Sequence, residues 1–334
     1  MKYFILFTLT LSLLACNNSK NKPDVSAIKV DIQLERFEQA FFKIDTNDLV
    51  KGLSDLRNGY PSFYPVFMQH ILQVNPMDTA SFSIVRSVYG SYKPINDSIQ
   101  QQYKNLNWLD DELTDAFRYV KYYYPNYKIP RVITFIGPFD VPGAIITPEH
   151  LGIGLQQFAG KNFSVYQDEQ IQQMYPNYIS RRFDKEYIVA NAMKAVADDI
   201  YPDQSVGRPL VEQMIEKGKL WFLTDHFLPD AADSVKTGYT QKQLNWAEEN
   251  EGNIWGYILK NENPYSIEPH VIQTYIGEAP FTQNMTEASP GNIGQWIGWR
   301  IIQKFANEHD EMSLPEILTT PARQIFEQSK YKPK

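Results

Sequence analysis

The chain opens with a mostly apolar, uncharged run, residues 4–15, behind a single lysine, and after Cys16 the run gives way to Asn17, Asn18, Ser19 and Lys20. A helix needs about 20 apolar residues to cross a bilayer. This run is too short, and its flanks are those of a secretory signal peptide. The small and polar residues 17–27 predict an extended tether of about 35 Å. Beyond it Ile28, Val30, Ile32 and Leu34 alternate with polar neighbours, the period of a half-buried strand. Phe37, Phe41 and Phe42 then shift the period towards a helix. Residues 60–65, with two prolines, read as a turn, and 66–74 as helical.

Asn107 precedes apolar positions at Leu109, Leu113, Phe117, Val120 and Tyr124. The spacing predicts an amphipathic helix capped by Asn107, with Asp110 and Asp111 at its positive end and Pro125 as its stop. Residues 132–136 and 152–155 read as two short strands, with Pro138, Pro142 and Pro148 between them and Gly152 and Gly154 as punctuation. Helical patterns follow near 185–200, 208–228, 240–260, 290–308 and 314–329. Ser289-Pro290-Gly291 reads as the start of the fourth, with serine as cap and proline at the first helical position. Gly294 and Gly298 each cost that helix about 1 kcal/mol against alanine, which predicts close backbone packing. No linker interrupts the pattern, so residues 28–334 are expected to form a single α+β domain, mostly helical, with a small sheet.

Chemistry narrows the picture by what is missing. The chain has no nucleophile elbow, phosphate-binding loop or dinucleotide fingerprint. Its five histidines, His70, His150, His226, His270 and His309, are never closer than 39 residues, so no helix carries two at metal-binding spacing. No cofactor is therefore expected. Asp225 and His226 are adjacent and should point apart on a helix. A net charge of −7 disfavours nucleic acid as a partner. Tyr122, Tyr123, Tyr124, Trp246, Trp255, Trp296 and Trp299 could stack on sugars, although large helical proteins bury most such side chains.

Two resemblances carry the reading further. Leu13-Leu14-Ala15-Cys16 resembles the lipobox of bacterial lipoproteins, with a plain signal peptide as the alternative. The resemblance implies removal of residues 1–15, acylation of Cys16 (palmitate among its chains) and a lipidated tether over 16–27. With its one cysteine spent there, the chain has no disulfide, and the membrane is a partner through the anchor. Separately, LGIGLQQFAG (151–160), YPNYISRRF (175–183), GKLWFLTDHFLP (218–229), GYTQKQLNWAEENEGNIW (238–255), EAPFTQ (278–283) and SPGNIGQWIGWRII (289–302) together resemble the GldB family of gliding-motility lipoproteins of Bacteroidetes.

That family is distantly similar to zincin-like predicted metallopeptidases, which implies a zincin-like scaffold. In the matching register Ala190, Asn191 and Lys194 stand at the His, Glu and His of the metal helix, and Glu216 at the following carboxylate. Alanine cannot ligate, asparagine is a poor base and a protonated lysine repels a cation. Lys194 is expected either to pair with Glu216 in the emptied site or to be solvated on a separate face. The resemblance thus implies a non-catalytic, lipid-anchored envelope protein, outer-membrane and facing the periplasm, that serves a gliding-motility or related secretion assembly through protein contacts. The alternatives are a divergent metal-dependent hydrolase using Asp198, Asp199, Glu212 and Glu216, and a periplasmic glycan-binding module.

Overall fold

A computed structural model describes residues 22–76 and 78–334; the expected signal peptide (1–15), Cys16 and residues 17–21 of the expected tether lie outside them. The packed body begins before Ile28. Lys22 Nζ lies 2.7 Å from Asp230, and Val25 is buried.

The sheet has four strands, β1 (Leu34–Arg36), β2 (Arg131–Phe135), β3 (Ala144–Ile146) and β4 (His150–Gly154), in the order β1-β2-β4-β3. β1, β2 and β4 are parallel, and β3 returns antiparallel along the edge of β4. The alternation over 28–34 thus yields a ladder only from Gln33, whose carbonyl accepts from the Val132 amide. With Leu34 opposite Val132, Ile32 would face Pro130, which has no N–H to give. Gly152 is more than punctuation. A Cβ there would lie 2.8 Å from Ile145, so its absence lets β3 close onto β4.

Between β1 and β2 the chain makes α1 (Phe37–Phe41), α2 (Leu49–Gly59), α3 (Phe63–Val66), a π-turn (Phe67–Ile71), α4 (Ser81–Gln102) and α5 (Asn107–Tyr123). The expected turn at 60–65 is therefore half helix: Pro65 sits in the first turn of α3, where no amide is needed. The helix expected over 66–74 ends at Ile71, and Gln73 turns left-handed at φ 55°. In α5, Asn107 is the first helical residue instead of the cap.

After the sheet come α6 (Glu169–Met174), α7 (Asn177–Ser180), α8 (Ile188–Ile200), α9 (Leu210–Phe227), α10 (Asp233–Thr237), α11 (Gln241–Glu249), α12 (Glu251–Asn261), α13 (Pro269–Ile276), α14 (Ile293–Glu308), α15 (Leu314–Thr319) and α16 (Ala322–Ser329). The pattern over 240–260 is split at Asn250, and that over 314–329 at Pro321. α14 starts later than expected. Ser289 does not cap it: its hydroxyl donates to the Thr286 carbonyl, and Asn292, left-handed at φ 47°, stands before the first turn.

α9 is the central rod, buried on most of its faces and packed against α5, α8, α10, α13, α14 and α16. Its crossing with α14 is a backbone contact. A Cβ on Gly218 would lie 2.3 Å from the Gly298 carbonyl carbon, and one on Gly298 would lie 1.7 Å from the Met214 oxygen. Gly294 likewise faces the Tyr275 carbonyl and Met214. The helix cost of these glycines is offset by the closeness they permit.

Gly298→Ala should therefore destabilise the protein by about 3 kcal/mol, the upper end of overpacking costs, despite alanine's propensity advantage of about 1 kcal/mol. Gly256, which meets nothing within 4 Å on the exposed side of α12, is the control. Gly256→Ala should be neutral or stabilising by up to about 1 kcal/mol in urea denaturation.

Candidate functional site

The four residues placed on the metal-site register do not meet. Ala190 opens onto a cavity of about 280 Å³ between α5, α8 and the α9–α10 connection, beside Glu186, Glu112 and Asp230. Asn191 turns its amide back to the Tyr187 carbonyl at 2.8 Å. Glu216 is buried and fully engaged: Lys219 Nζ lies 3.2 Å from Oε1, Arg208 Nη1 3.5 Å from the same oxygen, and the Tyr201 hydroxyl donates to Oε2 at 3.1 Å. Lys219 spends its other two donors on the Tyr201 hydroxyl (3.0 Å) and the Thr320 carbonyl (2.9 Å). Burial pulls the Lys219 pKa below its ordinary value, and Glu216 works against that pull. Neither expected placement holds: Lys194 makes no ion pair with Glu216, and Glu216 is buried, not solvated on a separate face. These groups do not fit a zincin metal: one position has no donor, one is tied to its own helix, one is cationic, and the carboxylate is neutralised.

Nor do the other proposed acids assemble. Asp198 and Asp199 are exposed, the latter accepting from the Tyr127 hydroxyl, while Glu212 and Glu216 share Arg208. Asp225 and His226 do point apart. Asp225 holds buried Lys236 at 2.5 Å, and His226 Nδ1 meets the Phe222 carbonyl at 2.7 Å. Trp255, Trp296 and Trp299 are buried, which removes three of the candidate sugar platforms; Tyr122 is exposed.

What does converge is four of the six segments that carry the sequence resemblance. Residues 178–182, 237–243, 278–280 and 290–292 surround one cleft. Arg181 donates to the Gly238 carbonyl. Arg182 reaches both oxygens of Glu278 at 3.4 Å, and Asn292 Nδ2 donates to one of them at 3.2 Å. The buried Tyr239 hydroxyl in turn donates to Asn292 Oδ1 at 2.8 Å, fixing the amide's orientation. Two glycines make this assembly possible. Gly238 turns at φ 77° and leaves room for the Arg182 guanidinium, 2.7 Å from where its Cβ would be. Gly291 lets the 290–292 backbone lie against Ala279, whose oxygen would be 2.0 Å from a Cβ.

Lys194 stands near this cluster without lining the cleft. Half-buried on α8, it makes no ion pair among the described residues, and the nearby charges that act on it are Arg182 and Glu278. Its pKa is pushed down to about 8, first by burial and then by Arg182, with Glu278 opposing. Burial also pulls Arg181 below the ordinary guanidinium range. The arrangement is a cleft with two guanidiniums beside a single carboxylate, Glu278, in an acidic protein.

A further cluster was not visible in the sequence. His150, buried on β4, has Nε2 3.3 Å from Ser62 Oγ, and Arg131 donates to the same oxygen at 2.6 Å. His150 Nδ1 is buried without a partner among the described residues. Burial, then Arg131, lowers the pKa of this imidazole. The two residues are 88 apart in sequence, and no spacing rule links them.

Lys219→Met should cost roughly 3–5 kcal/mol by leaving Glu216 buried beside Arg208 alone, and adding Glu216→Leu should restore most of that loss. Both are read by denaturant unfolding. Lys194 should titrate near pH 8 in an NMR titration of ¹³C-methylated lysines, well below the ordinary lysine value. Between about pH 8 and 10.5 the unfolded chain holds a proton that folded Lys194 has released, so this group makes stability rise with pH across that window.

No helix among the described residues is long and apolar enough to cross a membrane. No curated protein and no solved structure matches the chain. A family model described as gliding motility protein GldB matches residues 18–333, nearly the whole chain and every segment around the cleft. The protein belongs to the GldB family of gliding motility proteins.

Proposed function

We propose that the protein is a non-catalytic, lipid-anchored component of the cell envelope that serves gliding motility, or a related secretion assembly, through contacts with other proteins. Its anchor is the acylated Cys16, and Asn17, Asn18 and Ser19 in place of acids favour the outer membrane facing the periplasm. The observation that carries the non-catalytic reading is the dispersal of the metal-helix positions. Ala190 lines a cavity, Asn191 bonds to Tyr187, Lys194 stands near Arg182 and Glu278, and Glu216 is neutralised by Lys219 and Arg208. A hydrolase would need at least three donors and a base turned to one point.

The test uses chromosomal variants. Cys16→Ser should lose palmitate labelling, leave the membrane fraction and abolish colony spreading. Asn191→Ala, at the position a catalytic base would occupy, should keep spreading within about twofold of the parent at equal protein level, because it loses one hydrogen bond worth about 1 kcal/mol. A loss of 100-fold or more from that variant would restore the enzyme reading.

A further inference from the structure

We propose that the cavity between α5, α8 and the α9–α10 connection receives an apolar side chain of a partner protein held at the same membrane, with a lysine or arginine beside it on the cavity's acidic rim. The proposal deepens the contact reading above and rests on it for the partner's place at the membrane, though not for the chemistry of the cavity.

Two properties of the cavity select its occupant. The first is shape. Ala116, Val189, Ala190 and Phe227, with the half-buried Leu228 and Val235, give it an apolar lining. Its volume of about 280 Å³ falls just short of the roughly 300–1,000 Å³ of small-molecule sites, so it suits one large side chain better than a cofactor. The second is charge. Glu112, Asp115, Glu186 and Asp230 all line it, and no lysine, arginine or histidine among the described residues does. Asp115 is paired with Arg118 and Asp230 with Lys22, while Glu112 and Glu186 have no ion pair among the described residues. The neighbouring Lys185 is held over the Trp108 ring, 4.0 Å from its centroid. Burial raises the Glu112 pKa above the ordinary carboxylate value, with Lys185 opposing, so a further cation at the rim would favour a charge that burial disfavours.

The chain itself shows what the rim accepts. Lys22 Nζ lies 2.7 and 2.8 Å from the two oxygens of Asp230, and Val25, three residues on, is buried. A lysine close to an apolar residue is the pairing the partner would repeat. On the α5 and α8 sides of the same rim, Glu112 and Glu186 are unmatched. Exposed ion pairs add little affinity by themselves. The apolar group in the cavity therefore supplies the binding energy, and the rim selects the sign of the charge beside it. Lys22 is also close in sequence to Cys16, which puts this rim on the side of the body nearest the proposed anchor. A segment presented by a protein of the same membrane can reach it there.

The experiment uses the full-length protein in phosphatidylcholine nanodiscs with ¹³C-methyl-labelled alanine, and the Ala190 signal is assigned by its absence in Ala190→Ser. At constant ionic strength the probes are the capped pentapeptide acetyl-Gly-Lys-Phe-Lys-Gly-amide, its Lys-Gly-Lys and Glu-Phe-Glu counterparts, and n-butylammonium. The Lys-Phe-Lys peptide should shift the Ala190 signal saturably, and the other three should bind about tenfold more weakly or worse. Glu186→Lys should weaken the Lys-Phe-Lys peptide by about tenfold or more; Glu112→Lys should do the same and serves if the first variant does not fold. Equal binding of the Lys-Gly-Lys peptide or of n-butylammonium would make this an acidic patch for any cation and overturn the proposal. Equal binding of the Glu-Phe-Glu peptide, or no saturable shift with any probe, would also overturn it. On the chromosome, Glu112→Lys with Glu186→Lys should stay in the membrane fraction and lose colony spreading. Normal spreading of that strain beside a non-spreading Cys16→Ser strain would overturn this proposal alone. A Cys16→Ser strain that spreads would overturn the anchored reading and leave the peptide result standing, so the two fail separately.

Discussion

The contact between α9 and α14 at Gly218 and Gly298 is the constraint on which the rest of the molecule is hung. Two helices whose backbones touch cannot slide or rotate against each other without a clash, so α14 is fixed on the central rod to within a fraction of an ångström. Gly298 meets Met214, Gly294 meets Tyr275, and Gly291 meets Ala279, one line of close approaches along a single stretch of chain. The last of these brings Asn292 to Glu278. A contact made for packing thus sets the geometry of the cationic cleft.

Electrostatics divides the molecule into two regimes. Along α9 the buried ions are closed systems: Lys219 places its donors on Glu216, Tyr201 and a carbonyl, and Lys236 sits between two aspartates. Such pairs add little net stability over apolar residues, yet they are expensive to break singly. They hold α9 to α10 and to the end of α15. Around Arg181 and Arg182 the balance is left open, and the polar groups there belong to loops and helix ends, the parts of a fold where recognition tends to reside.

Much of the helical body was legible because its signals are local. Leu109, Leu113, Phe117 and Val120 mark α5, the glycines of α14 announced its close packing, and the proline-flanked apolar run gave β2. Where the structure departs, a non-local or backbone effect is responsible. The alternation at 28–32 has no ladder because its would-be partner is Pro130. α4, with Gly90 and Pro94 inside it, carries no cap or clean stripe and is held by packing instead. Ser289 looked like a cap, but its hydroxyl is used by the preceding turn. At the site, the residues that resemble the family included Arg181, Arg182, Tyr239, Glu278 and Asn292, while their meeting in one cleft depends on tertiary contacts no spacing encodes. Lys194 was noticed for the wrong neighbour, since the turn of α8 carries it towards Glu278 and away from Glu216.

The ion pair between Lys22 and Asp230 has its own consequence. Lys22 lies only six positions along the chain from Cys16, a span of about 20 Å at most, against a body roughly 50 Å across. With the proposed lipids on Cys16, the leash is shorter than its load. It limits which way the body can turn as well as how high it can rise. A companion held in the same leaflet would meet the same flank at each collision, and the search for a fit would shrink from full tumbling to rotation in a plane.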